Sequence, residues 1–226
     1  MVDISRHRDV VNPNNFNEQI HIIGVGATGS WVATILAKMG FSHLNLYDFD
    51  TVEEHNLSNQ AYDKGDIGKF KVEALKKHLT NINEDAIINI SNEEVDENNR
   101  FSGIVFLLTD TMASRKNIYE SCIKNKINVK LLIETRMSKD QGIIYTVNPT
   151  SMIQTKYYDN TLFYTDDQAE SSLCGTSITV LPTALSIASN AIWQLINYIN
   201  GDDYQSEISV NYKTSQIFTQ NFKKYI

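Results

Sequence analysis

The sequence is poor in cysteine, in proline and in long apolar runs. Of its 226 residues, two are cysteine (Cys122 and Cys174) and three are proline. Two thiols are too few for a four-thiolate zinc site, and without a disulfide framework they fit a reducing compartment. No apolar run approaches the length of about 18 residues that a spanning helix needs, and residues 1–15 lack the apolar core of a signal peptide. We therefore expect a cytoplasmic protein with no membrane partner.

Positive charge is also scarce. The chain carries 20 Lys and Arg residues against 27 Asp and Glu residues, for a formal net charge of -7 and a pI near 5.2. This balance repels phosphate backbones, so we expect no nucleic-acid partner. Hydrophobic residues make up 42% and charged residues 21% of the chain, which excludes collagen, coiled-coil and disordered classes and predicts a folded soluble protein.

Short β-branched segments alternate with amphipathic ones through the first 150 residues. Gln19–Val25 predicts a buried strand, and apolar residues at intervals of three and four predict a helix over Thr28–Met39. The same reading predicts strands at 44–47, 86–90, 104–108, 129–133 and 142–147, and helices at 69–79 and 112–125. The predicted fold class is therefore α/β, with a Rossmann-like, mainly parallel sheet and helices on both faces.

The alternation of strand and helix patterns ends after Pro149. The polar stretch 157–172 predicts a loop, and the apolar segment Thr179–Ile199 predicts a long buried helix that ends at Gly201. Glu207–Gln220 predicts two short strands, which would extend the sheet with mixed or antiparallel pairing. Since no repeat or linker interrupts the chain, we expect a single domain.

A glycine motif follows the first predicted strand. Gly24-Val25-Gly26-Ala27-Thr28-Gly29 is a G-x-G-x-x-G, which lets backbone N–H groups approach a phosphate at the positive end of a helix dipole. Asp48 follows the second predicted strand, where a carboxylate can accept hydrogen bonds from ribose hydroxyls. Together these features predict a nucleotide site, and the motif by itself leaves NAD, FAD and ATP open.

The segment after Asp48 favours a triphosphate. A lysine at the start of a helix opposes the helix dipole, so Lys71 indicates an anion that offsets this cost. Asn56 and Gln60 lie four apart and could aim two amides at phosphate oxygens or at ribose, although loop amides are also commonly solvated. Asp110 follows a buried strand and could hold Mg²⁺. The alternative is a helix cap, which three adjacent residues could supply: Thr109, Asp110 or Thr111.

Taken together, these motifs resemble the ThiF/MoeB/HesA-type adenylyltransferases, the superfamily that includes the ubiquitin-activating enzymes. The resemblance covers about residues 5–200. It rests on G-x-G-x-T-G-S (24–30), D-F-D (48–50), T-V-E-x-x-N-L-x-x-Q (51–60), D-I-G-K-x-K-V-E-A (66–74), I-N (82–83), T-D-x-x-x-x-R (109–115), and Arg136 with Gln141-Gly142. It implies one ThiF-like domain over 1–226, made up of an N-terminal arm (1–18), a nucleotide-binding core (19–150), a crossover loop (151–178), and a C-terminal helix with strands (179–226).

The resemblance also implies a reaction and its residues. A carboxylate, commonly the C-terminus of a ubiquitin-like protein or peptide, would attack the α-phosphate of ATP to give an acyl-adenylate and pyrophosphate. Asp48 would bind ribose, Asn56 and Lys71 would bind phosphates, and Asp110 would bind Mg²⁺. The implied nucleotide contacts are Gly24, Gly26, Thr28, Gly29, Asp48, Asp50, Asn56, Gln60 and Lys71. Such proteins usually form homodimers in which an N-terminal arginine reaches the other subunit's ATP, and Arg6 and Arg8 are the candidates.

Three departures from this pattern bear on function. Asn59 stands where the family motif has an arginine, so one phosphate-binding cation is missing. The two C-x-x-C pairs of the family are absent, which predicts no structural zinc. We expect neither a catalytic-cysteine domain nor a ubiquitin-fold domain, so a transfer step would need a partner or Cys174, which is either a thioester or persulfide carrier or a small buried thiol. A catalytically weak nucleotide-binding or partner-recruiting module and an NAD- or FAD-dependent oxidoreductase remain as alternatives.

Overall fold

The computed structural model describes residues 2–163 and 178–222. Eight strands in these ranges form one sheet. They are β1 (Ile20–Ile23), β2 (His43–Tyr47), β3 (Ile87–Ser91), β4 (Gly103–Leu107), β5 (Val129–Met137), β6 (Gln141–Val147), β7 (Glu207–Asn211) and β8 (Gln216–Gln220). Their order across the sheet is β3-β2-β1-β4-β5-β6-β7-β8.

The first five strands along the chain are parallel, and the last three join by antiparallel pairing. Ile23 at the end of β1 is level with Tyr47 in β2 and with Leu107 in β4. The loops that follow these strands therefore leave the sheet at one shared edge, where open α/β sheets bind their ligands. The predicted fold class, with its antiparallel C-terminal extension, is confirmed.

Helices cover both faces of the sheet. They are α1 (Gly29–Lys38), α2 (Lys71–Ile82), α3 (Met112–Ile118), α4 (Met152–Asp159) and α5 (Leu181–Asn200). Since strand side chains alternate between faces, Ile22 and Phe106 pack beneath α1, α2 and α5, whereas Ile23 and Leu107 pack beneath α3 and α4. Gly201 adopts a left-handed conformation and ends α5 where the sequence predicted.

Two predicted elements differ in the structure. The helix predicted over 112–125 ends at Ile118 and continues as a π-helical turn over Tyr119–Ile123. The loop predicted over 157–172 is wrong at its start, since α4 occupies Met152–Asp159, which is also the first part of the segment assigned to the crossover loop. Ser151 caps this helix by accepting a hydrogen bond from the backbone of Gln154, and Tyr158 is fully buried. Polar composition suggested a loop, but burial of one face against the sheet stabilises a helix.

No helix within 2–163 or 178–222 combines the length and the hydrophobicity that crossing a membrane requires.

Candidate nucleotide site

The glycine turn lies between β1 and α1 and is packed too closely for side chains at two positions. A Cβ atom on Gly24, whose φ is +88°, would lie 2.6 Å from the backbone oxygen of Leu108. A Cβ atom on Gly29 would lie 1.9 Å from the backbone oxygen of Gly24. A Cβ atom on Gly26, by contrast, would have no neighbour within 4 Å. The outer two glycines therefore allow the turn to close, and Gly26 leaves its backbone open to a ligand.

The N-terminus of α1 carries uncompensated positive polarity. Thr28 precedes the helix without a side-chain cap, and the first turn contains no acidic residue. The first N–H groups of a helix have no intrahelical partners, and the helix dipole adds to their attraction for anions. This end of α1, which opens from the glycine turn, is suited to a phosphate.

Asp48 follows β2 and braces the glycine turn. One carboxylate oxygen accepts a hydrogen bond from the backbone N–H of Val25 at 2.8 Å, and the other accepts from the backbone N–H of Asp50 at 3.0 Å. Burial raises the pKa of the Asp48 carboxyl, and the charge of Lys71 opposes that rise. Each oxygen keeps a second lone pair, so this bracing is compatible with the predicted acceptance of ribose hydroxyls.

The loop after Asp48 is fixed against the start of α1 by three hydrogen bonds. Trp31 donates its indole N–H to the backbone oxygen of Asn59 at 3.0 Å. The backbone N–H of Ala61 donates to the hydroxyl of Ser30 at 3.0 Å. The hydroxyl of Tyr62 donates to the backbone oxygen of Val25 at 2.7 Å. The loop and the glycine turn are therefore held as one unit.

The amides of this loop are only partly aimed outward. The side-chain oxygen of Asn56 accepts a hydrogen bond from the backbone N–H of Glu53 at 2.9 Å, so half of this amide serves as a local cap. Asn59 donates its amide N–H to the hydroxyl of Thr179, just before α5. Among the described residues, no donor reaches the buried amide oxygens of Asn59 and Gln60.

Lys71 begins α2, and its partner is an acid from the D-F-D segment. Its ammonium lies 2.7 Å from the carboxylate of Asp50, and its backbone N–H donates to the backbone oxygen of Asp50 at 2.9 Å. The Lys71 side chain is 9% exposed, and that of Asp50 is 51% exposed. The anion that the sequence required beside Lys71 is thus present in the protein itself.

Asp110 lies in the loop after β4 and is exposed. The cap of α3 is Thr111, whose hydroxyl accepts a hydrogen bond from the backbone N–H of Ser114 at 3.2 Å. The alternative role of Asp110 as this cap is therefore excluded. An exposed carboxylate at the ligand-binding edge of the sheet has the chemistry that Mg²⁺ prefers, so Asp110 fits the implied ion.

Arg6 and Arg8 are not part of the site of their own chain. Both are exposed and lie in a turn that packs at the far end of α1, where the imidazole Nε2 of His7 is 3.1 Å from the backbone oxygen of Met39. A ten-residue helix is about 15 Å long, and its other end carries the glycine turn. The remaining candidate, Cys174, lies outside the described residues.

A buried charge cluster supports the loop that carries Asp110, and the sequence reasoning gave it no role. Glu134 in β5 is fully buried between two guanidinium groups, with Arg115 at 2.9 Å and Arg136 at 3.1 Å. Arg115 also donates to the backbone oxygen of Thr109, next to Asp110. The hydroxyl of Tyr158 in α4 donates to Glu134 at 3.2 Å. A glutamate directly after the apolar residues Leu131, Leu132 and Ile133, within a predicted buried segment, is the signal that could have identified this cluster.

Arg136 extends the cluster to the end of α4. Its guanidinium donates to the backbone oxygen of Thr161 at 2.7 Å and to its hydroxyl at 2.9 Å, and it lies 4.7 Å from the ring centre of Tyr145. The loop after β4 and the end of α4 are consequently joined through β5.

A second group of charged side chains lies beside α2. Asp63, Asp66 and His78 offer potential metal-ligand atoms within 4.8 Å of one another. The buried carboxylate of Asp66 is already paired with His78 at 2.7 Å and with Lys69 at 3.1 Å, and it accepts a hydrogen bond from the backbone of Asp63. These contacts satisfy the carboxylate without an ion.

A groove of about 510 Å³ lies away from the glycine turn, between α5 and the β7–β8 hairpin. Its lining contains no Asp, Glu, Lys, Arg, His or Cys side chain. The lining residues are Leu185, Ser186, Ser189, Asn190, Val210, Asn211, Tyr212, Ser215 and Ile217. Side chains suited to acid–base or metal-binding chemistry are therefore absent from the lining of this groove.

A mainly parallel sheet with a glycine turn, a helix N-terminus and a carboxylate at one edge defines the chain as a Rossmann-like α/β domain. More specifically, the chain belongs to the ThiF family, whose model matches residues 14–225.

Alignments with curated relatives cover about half of this chain. The tRNA threonylcarbamoyladenosine dehydratase of Haemophilus influenzae is 32% identical over 117 residues, which cover 49% of this chain and 45% of that protein. The ubiquitin-like modifier-activating enzyme 5 of Caenorhabditis briggsae is 31% identical over 111 residues, which cover 48% of this chain and 26% of that protein. The matched regions thus span less than half the length of these two relatives.

Solved structures confirm the fold. PaaA superposes with a TM-score of 0.71 at 19% identity, covering 90% of this chain and 64% of that one. Escherichia coli MccB with ATP superposes with a TM-score of 0.70 at 19% identity, covering 91% and 64%. MccB has also been solved with N-formylated MccA, and that structure gives a TM-score of 0.72 at 18% identity, covering 97% and 69%.

Proposed function

We propose that this protein is an ATP- and Mg²⁺-dependent adenylyltransferase that activates a carboxylate as an acyl-adenylate. The observation that carries the proposal is the unfilled glycine turn at the N-terminus of α1, which Asp48 links to Asp50 and so to its partner Lys71. Asp110 follows β4 at the same edge of the sheet. A dinucleotide-dependent oxidoreductase would use the glycine turn and Asp48, but it would have no need of a lysine at the start of α2 or of an acid after β4. A cytoplasmic location is part of this proposal.

The chemistry requires positioning and charge neutralisation. A carboxylate oxygen of the acyl substrate attacks the α-phosphorus of ATP, the bond from that phosphorus to the bridging oxygen breaks, and pyrophosphate leaves. No protein nucleophile is needed. The N–H groups at Gly26 and at the start of α1 bind phosphate oxygens, Asp48 orients the ribose, and Lys71 offsets negative charge. Asp110 would hold Mg²⁺, which neutralises charge on the phosphates.

The proposed acyl substrate is the C-terminus of a ubiquitin-like protein or of a peptide. Two relatives support this class, since one is named a ubiquitin-like modifier-activating enzyme and MccB has been solved with MccA. A carboxyl group at a chain end is accessible and can reach into a site at a sheet edge, whereas internal peptide groups offer no carboxylate.

We also propose that the protein acts as a homodimer and that Arg6 or Arg8 acts on the site of the second copy. Their exposure and their distance from the glycine turn of their own chain support action in trans. Mixing a Lys71→Ala protein with an Arg6→Ala/Arg8→Ala protein tests this, because each mixed dimer retains one intact composite site. Recovery to about a quarter of wild-type activity is expected from random mixing, and no recovery would contradict the trans arrangement.

A catalytically weak nucleotide-binding module is the second candidate, and Asn59 favours it. This residue replaces a family arginine, and it is occupied by contacts to Trp31 and Thr179. ATP–pyrophosphate exchange with a panel of peptides and ubiquitin-like proteins separates the two functions. Exchange with one acyl substrate supports the enzyme, whereas ATP binding without exchange for any of them supports the module.

The first experiment is a calorimetric titration of the protein with ATP and with NAD, each with and without Mg²⁺. Asp110→Ala should abolish the dependence of ATP binding on Mg²⁺, and Lys71→Ala should weaken ATP binding in either condition. Asp203→Ala removes an exposed acid after α5 and serves as the matched control, with unchanged binding expected. Preference for NAD, or ATP binding that ignores both site substitutions, would refute the proposed function.

A further inference from the structure

The ammonium of Lys71 is in a position where it needs a counter-charge at all times. Its side chain is 9% exposed, and it lies in the first turn of α2, whose dipole already places positive polarity there. An unpaired buried ammonium is strongly unfavourable, so a protein that binds its ligand reversibly needs a second anion for the free state. In the structure that anion is Asp50, at 2.7 Å.

The two partners of this ion pair are held very differently. Lys71 is buried and fixed by the helix. The carboxylate of Asp50 is half exposed, and its ion-pair partner is Lys71. Asp48, two residues earlier, differs in that both of its oxygens accept backbone hydrogen bonds. Because water can solvate the Asp50 carboxylate as soon as it rotates away, releasing Asp50 costs far less than exposing Lys71 would.

We propose that Asp50 is a placeholder for phosphate: it neutralises Lys71 in the free protein and gives way when a phosphate group of the nucleotide binds there. The inference rests on the proposed function in so far as a phosphate binds at this edge of the sheet. It assigns Asp50 a role opposite to that of a nucleotide ligand, since an acid that competes with phosphate weakens binding. Asp50 is therefore a positioning residue that sets the affinity of the site by acting through Lys71.

The direct test is binding of inorganic pyrophosphate, measured by calorimetry without nucleotide, Mg²⁺ or acyl substrate. Asp50→Asn removes the competing charge and should tighten pyrophosphate binding about tenfold, the effect of one moderately strong ion pair. Glu73→Gln is the matched control, because it removes an exposed acid from the same first turn of α2. The control should change the affinity less than about threefold. Unchanged or weaker binding in Asp50→Asn would overturn the proposal, as would the absence of pyrophosphate binding in every variant.

A double-mutant cycle distinguishes a contact through Lys71 from a general change in local charge. In a Lys71→Gln background the placeholder has no partner, so adding Asp50→Asn should leave pyrophosphate affinity unchanged within about twofold. An equal gain in both backgrounds would show that Asp50 acts by charge repulsion alone, which contradicts the proposal.

A measurement on the wild-type protein covers the case in which a variant fails to fold. The side-chain nitrogen signal of Lys71, assigned in lysine-labelled protein, should move as pyrophosphate saturates the site, and no movement at saturation refutes the exchange of partners. Neither assay requires catalysis. If both assays give the expected results but no ATP–pyrophosphate exchange occurs, the adenylyltransferase function is refuted and the placeholder role of Asp50 stands. If exchange occurs but Asp50→Asn does not change pyrophosphate binding, the placeholder role is refuted and the adenylyltransferase function stands.

Discussion

Replacing Glu134 with glutamine should be among the most destabilising conservative changes in this protein. The substitution keeps the shape of the side chain but leaves the guanidinium groups of Arg115 and Arg136 without a counter-ion, at a position where Glu134 is 0% exposed. Removing one partner of a buried ion pair costs about 3–5 kcal/mol. At roughly 2–4 °C per kcal/mol for a chain of this size, the melting temperature should fall by about 6–20 °C.

Urea unfolding followed by circular dichroism measures this loss directly. The midpoint should fall while the dependence of the unfolding free energy on urea stays constant, since the exposed surface is unchanged. Asp159→Asn is the control, because the pair of Asp159 with Lys124 has a similar 2.8 Å separation but is about one-third exposed on each side. Such a pair contributes less than about 1 kcal/mol. A loss below about 1 kcal/mol for Glu134→Gln as well would refute the reasoning that burial makes this cluster essential.

Three further predictions concern the glycine turn and the core. Gly29→Ala places a Cβ atom 1.9 Å from a backbone oxygen and should cost about 1–3 kcal/mol of stability. Gly26→Ala, which meets no neighbour, should fold normally and weaken only nucleotide binding. Equal melting temperatures for the two variants would contradict this prediction. Tyr62→Phe removes the buried donor to the backbone oxygen of Val25 and should cost about 1–3 kcal/mol by urea unfolding, and no loss would show that water replaces it. Burial lowers the pKa of His21 from 6.5 to about 4, so its neutral form is favoured by folding. The contribution of His21 to the unfolding free energy should therefore be fully present above pH 6.5 and fall by up to about 3 kcal/mol towards pH 4, and His21→Gln should remove that part of the slope.

The local signals in the sequence were sufficient for the architecture. Strands such as Ile20–Ile23 and helices such as Gly29–Lys38 were predicted to within a few residues, because hydrophobic periodicity reflects which face is buried. The prediction failed at α4, where a polar segment becomes helical. Nothing in the local composition shows that Tyr158 is fully buried, since that burial depends on Tyr119 and Tyr145 from distant segments.

By itself, the sequence determined the α/β class, the glycine turn and the expectation that Lys71 needs an anion, because each depends on residues close together along the chain. Only the tertiary structure decided that this anion is Asp50, that Thr111 rather than Asp110 caps α3, and that Glu134 is buried between two arginines. In each case the sequence offers several chemically equivalent partners. The packing of the sheet and helices selects among them, because it fixes which charged groups are brought within contact distance and which are removed from water.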